Sequence, residues 1–145
     1  MITERTIEED EAFGLAGEDH NEERIRTIMN RSMKKSDKYY QMDWFAEDDP
    51  NLYAELKTRR YSYDDLQAHQ KQSVVIGVNK IDFCRYTPNV RAYYFFDLNG
   101  ELYYTRYRKS FSRLPIRYIA RNREGRKNDG SFVVDIPLTC LKKVA

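Results

Sequence analysis

Glu55, Leu56 and Lys57 form the only (D/E)-x-K triplet in this chain of 145 residues. It lies in "NLYAELKTRRY", residues 51–61, whose alternating pattern predicts a strand, so Glu55 and Lys57 share one face. A turn cluster, Asp49, Pro50 and Asn51, precedes it and closes a predicted hairpin with "YYQMDWFAE". If Glu47 faces Asn51, the numbers of facing residues sum to 98 and Asp43 falls opposite Glu55, with Cβ atoms roughly 5 Å apart. A register one residue away would put Trp44 there instead. Asp48 and Asp49 are alternatives to Asp43, but both lie in the predicted turn, too close to Glu55 for easy opposition.

Two opposed carboxylates repel unless a positive charge lies between them, and a hard cation with oxygen ligands, Mg²⁺ or Mn²⁺, is the usual answer. A cation so held, with Lys57 beside it, suits phosphodiester hydrolysis: the metal lowers the pKa of a bound water and offsets charge on the phosphate. Lys57 can orient or deprotonate that water, or stabilise the transition state.

Charge is distributed to suit an anionic partner. Residues 1–23 hold nine acids against Arg5, a net of −8, which leaves +10 on the remaining 122 residues. Between 103 and 127, nine Lys and Arg face Glu124 alone, with four Tyr and one Phe interleaved. Cations supply sequence-independent attraction to phosphate, and aromatic rings can stack on bases or simply pack. Arg59 and Arg60 after the motif strand, Lys80, and Arg121, Arg123, Arg126 and Lys127 are the candidate nucleic-acid contacts. A solvated sheet face accounts for the same charges without a ligand.

The elements that must position these residues read as follows. Residues 1–20 are expected to be an acidic, loosely held arm or a short helix, and 21–145 one domain. Ile25, Ile28, Met29, Ser32 and Met33 recur at helical spacing and predict a helix over 21–38, capped through Asp19 and Glu22. After the first hairpin, 64–73 read as polar linker or a helical start; the β-branched opening of "VVIGVNKIDFC" suggests a strand, but Val74, Val78, Ile81 and Cys84 or Arg85 suit a helix, and a second helix is the reading favoured. "VRAYYFFDLNGELYYTRYR" is a hairpin on an Asn99-Gly100 type I′ turn, and a last hairpin surrounds "GRKNDG". The fold class is α+β, a mixed α/β arrangement. No apolar run approaches the ~20 residues that span a bilayer, and no secretory leader pattern opens the chain. Cys84 and Cys140 lack metal-site or disulfide-framework spacing, which points to a reducing, intracellular setting.

Asp43, eleven intervening residues and then Glu55-Leu56-Lys57, behind a helix that opens with Glu22 and Glu23, resembles the PD-(D/E)XK nuclease superfamily. The likeness covers residues 21 to about 98; Met42 stands where that family has proline. The resemblance implies a restriction-endonuclease-like αβββαβ core, with the later antiparallel hairpins as additions. It implies a Mg²⁺ site built from an acid of the first helix, Asp43 and Glu55, with Lys57 catalytic, in an endonuclease acting on DNA. For the helix acid the choice is Glu22, about 60° from the centre of the buried stripe, whereas Glu23 lies roughly 160° away. Such an enzyme is expected in the cytoplasm of a phage or viral host, with no membrane association, and as a homodimer where two strands are cut. The alternative is a nucleic-acid-binding or interaction protein that keeps the fold without cleavage.

Overall fold

A computed structural model describes residues 7–37, 41–123 and 126–144, with side chains except at 7, 121–123 and 126–129. Helix α1 (Ile7–Met29) leads into three strands, β1 (Met33–Lys35), β2 (Trp44–Ala46) and β3 (Leu52–Arg59). A crossover follows through α2 (Tyr63–Ala68), β4 (Ser73–Gly77) and α3 (Val78–Tyr86) to β5 (Arg91–Leu98). The chain ends in β6 (Glu101–Arg106), β7 (Ile116–Arg123), β8 (Arg126–Pro137) and the short β9 (Lys142–Lys143).

The first sheet runs β1-β2-β3-β5-β6-β9, and the second β4-β8-β7. β3 and β5 are parallel, as a crossover through a helix allows, and the other pairs in both sheets are antiparallel. The class is mixed α+β, as the sequence implied. Among the described residues no helix is long and apolar enough to cross a membrane.

Alternation along β3 assigns its two faces. Leu52, Ala54 and Leu56 pack with Ile25 and Met29 of α1 and with Trp44 and Phe95. The opposite face carries Tyr53, Glu55 and Lys57, and Tyr53 joins the second core, with Ile81 and Cys84 of α3, Tyr94, Phe96, and Val74 and Ile76 of β4. Thus α1 covers one side of the first sheet, while α3 and the second sheet cover the other.

Four expectations are corrected. Residues 7–20, expected as a loosely held arm or a short helix, are continuous with the predicted helix as the first part of the 23-residue α1, held where Gly17 meets β3: a Cβ there would lie 2.0 Å from Thr58 Oγ1. The buried Asn21 fixes the same turn, donating from Nδ2 to Gly17 O at 2.9 Å and to Asp97 Oδ2 at 2.7 Å. The helix stops at Met29 rather than 38, because Asn30 takes a left-handed conformation, φ 51°, and its N–H caps Arg26 O at 2.9 Å. Met33, expected on the helical stripe, is buried on β1 instead. "VVIGVNKIDFC" divides at Gly77: Val74 and Ile76 point into the core from β4, and the helix begins only at Val78. The polar 64–73 stretch supplies α2, opened by a capping box between Ser62 and Asp65. The Asn99-Gly100 turn has positive φ at both residues, 53° and 95°, as a type I′ turn requires.

Candidate active site

The first hairpin closes in the register that sums to 98: Trp44 pairs with Ala54 and Phe45 with Tyr53. The ladder ends at Trp44, so beyond Ala54 this edge of β3 has no strand partner among the described residues. Asp43 takes its place, and its Oδ2 accepts the Leu56 N–H at 2.8 Å. A main-chain donor that would otherwise be stranded is satisfied, and a carboxylate is fixed at the point where β2 leaves β3.

Glu55 sits beside it with a side chain only 2% exposed. Lys57 Nζ lies 3.1 Å and Lys80 Nζ 3.4 Å from Glu55 Oε2. Oε1 is buried and has no hydrogen-bond partner. Burial pushes the Glu55 carboxyl up to about 7; the negative charge of Asp43 adds to this, and the two lysines oppose it. Burial likewise raises Asp43, against the stabilising Leu56 N–H, and the nearby Glu18 raises it further.

Glu18 is the residue that sequence reasoning missed. It stands on α1 close enough to the Asp43 carboxyl to raise it. Glu22, expected as the helix acid, pairs with Arg26 at 3.2 Å. Glu18 precedes Glu22 by four residues, about 40° around the helix and one turn nearer its start. The stripe gave the right side of the helix; the turn was hidden because the helix was thought to begin after Glu18.

Lys80, expected to approach phosphate, reaches inward instead: besides Glu55 it donates to the carbonyl of Gln41 and so ties α3 to the segment carrying Asp43. The hydroxyl of Tyr94, the partner of Glu55 across the β3–β5 ladder, donates to Lys80 O at 2.9 Å. Arg59 is also turned inward, with Nη2 donating to Val75 O at 3.4 Å, so it ties the two sheets together rather than lining an open groove. Arg60 lies on α1, its guanidinium 3.8 Å from the centre of the Phe13 ring. Arg121, Arg123, Arg126 and Lys127 belong to the distal β7–β8 hairpin, and their side chains fall outside the described ones.

The chemistry of the donors fits a hard cation. Glu18, Asp43 and Glu55 offer only carboxylate oxygens, like charges brought near one another, and one buried oxygen without a partner. They are linked in pairs: among the described residues no three His, Cys, Asp or Glu side chains form a ready metal-binding group. Comparison with protein-family models, with curated proteins and with solved structures finds no match to this chain.

Proposed function

We propose that the protein is a Mg²⁺-dependent DNA endonuclease that hydrolyses phosphodiester bonds, built on a restriction-endonuclease-like core. The observation that carries this reading is Glu55: a carboxylate withdrawn from water, one oxygen unpartnered, next to Asp43 and flanked by Lys57. Such an arrangement costs stability and is a common mark of a working site. The succession α1, β1, β2, β3, α3, β5, interrupted after β3 by α2 and by β4 of the second sheet, supports the reading, since without that insertion it follows the αβββαβ order that the sequence resemblance implies.

In this mechanism Asp43, Glu55 and Glu18 would hold the cation. Bound there, Mg²⁺ supplies an acidified water and offsets charge on the phosphate. Lys57, its side chain 29% exposed, stands at the mouth of the site. Its ammonium orients the attacking water and stabilises the negative charge that grows on the phosphoryl oxygens. Lys80 is a positioning residue; it keeps Glu55 aimed and holds the Asp43 segment to α3. Because Glu55 ionises near pH 7, activity should rise as pH passes through that value.

A second reading, a non-catalytic nucleic-acid-binding protein, is favoured by one feature: Lys57 and Lys80 already match the charge of Glu55. Incubation of supercoiled plasmid and branched DNA with Mg²⁺, Mn²⁺ or chelator separates the two. Nicking that needs metal and is lost in Glu55→Ala and Lys57→Ala is expected. Binding of DNA by all three proteins without strand breaks would leave the second reading.

A further inference from the structure

The β7–β8 hairpin carries a feature that strand cleavage does not use. β4 covers β8 only from Val133 to Pro137, so residues 129–132 pair with β7 alone and the hairpin extends past the edge of β4. Val134 and Ile136 are buried on the core face of β8. Phe132 continues that face but is 58% exposed, and on β7 Ile116 and Tyr118 are 59% and 52% exposed. Tyr118 faces Phe132 across the ladder, and their ring centroids lie 5.2 Å apart.

The Tyr118 ring is bedded on backbone. A Cβ at Gly130 would lie 2.3 Å from its hydroxyl and 2.5 Å from Cζ, so the ring crosses β8 where only glycine leaves room. This support leaves the other side of an immobilised aromatic pair open to solvent.

Charge identifies what would cover it. From Arg106 to Lys127 the sequence holds nine Lys and Arg against Glu124 alone. Exposed Arg106, Arg108, Lys109 and Arg113 lead into β7. A segment so basic matches a polyanion and would repel a second copy of itself. Rings offered at a cationic surface stack on base faces, and in duplex DNA those faces are already occupied.

We propose that Tyr118 and Phe132 form a stacking platform for unpaired bases, so that the DNA bound carries a single-stranded stretch. This rests on the DNA-directed reading above and narrows its substrate. The test uses the full chain with chelator present, so that binding is read without cleavage. A duplex with a six-nucleotide gap containing 2-aminopurine is compared with the continuous duplex. The gapped DNA should bind more tightly and its fluorescence should fall. Tyr118→Ala and Phe132→Ala should each weaken gapped-DNA binding roughly tenfold and change duplex binding by less than about twofold, while Tyr118→Phe keeps the quenching. Equal affinity for both DNAs, or quenching unchanged in both alanine variants, would overturn the platform. So would a concentration-dependent dimer lost in both variants, since the face would then be self-docking. Plasmid nicking is scored separately: nicking without stacking overturns this inference alone, and stacking without nicking overturns the nuclease reading alone.

Discussion

Replacing Glu55 with Gln should change the way stability depends on pH. The folded state raises the Glu55 carboxyl from 4.5 to about 7, chiefly through burial. Between those values the folded chain holds a proton that the unfolded chain has released, so stability is fullest below pH 4.5 and falls until about pH 7. Above that range the loss is constant, about 3 kcal/mol at 1.36 kcal/mol per pH unit, or roughly 10 °C in melting temperature for a domain of this size. Gln removes the titration but also deprives Lys57 and Lys80 of their partner, so absolute stabilities compare poorly and the slope is the useful quantity. Urea unfolding of both proteins at intervals from pH 4.5 to 8 gives it. The wild-type protein should lose about 3 kcal/mol more than Glu55→Gln over that range. At pH 8, Mg²⁺ at about a hundred times its dissociation constant should return about 2.7 kcal/mol to the wild type and much less to the variant. Parallel pH curves for the two proteins would refute the burial argument.

Three further substitutions probe the supports of the site. Gly17→Ala pushes a methyl group to 2.0 Å from Thr58 Oγ1; it should cost about 1–3 kcal/mol in urea unfolding and slow nicking by displacing Glu18, and wild-type stability would show that α1 does not press on β3 there. Asn21→Ala strips the buried Asp97 of its 2.7 Å donor, leaving Gly100 N–H as its remaining bond; a loss of about 2–3 kcal/mol is expected in thermal or urea melts. Tyr94→Phe removes the donor to Lys80 O; about 1 kcal/mol of stability should go, with a fall in cleavage rate larger than any change in DNA affinity, and an unchanged rate would detach Tyr94 from the site.

The sequence disclosed the local parts of this architecture better than the distant ones. The turn at Asp49-Pro50-Asn51 set the register that pairs Trp44 with Ala54 and leaves Asp43 at the end of the ladder, bonded to Leu56 N–H, and Asn99-Gly100 announced its own turn, because both signals are contained in a few adjacent residues. The start of α1 was illegible: Gly14, Gly17 and a dense run of acids argue locally against an ordered helix, whereas tertiary contacts with Thr58, Asp97 and β3 hold it in place. Missing that start left Glu18, one turn before Glu22, outside the predicted helix. The run Val74 to Cys84 matched helical spacing only by straddling a strand and a helix, since Val74 and Ile81 enter one core from two elements. Lys80 and Arg59 read as exposed cations until Glu55 and the carbonyls of Gln41 and Val75 drew them inward.

The account turns on a carboxylate set made by Glu18, Asp43 and Glu55, and its most direct test is the rate of Mg²⁺-dependent nicking of supercoiled plasmid at pH 8 by the wild type, Glu18→Gln and Glu22→Gln. Wild-type nicking should fall on the order of a hundredfold in Glu18→Gln, as loss of one charge-stabilising group does, and stay unchanged in Glu22→Gln, whose carboxylate only pairs with Arg26. Intact plasmid with the wild-type protein, or a loss confined to Glu22→Gln, would contradict it.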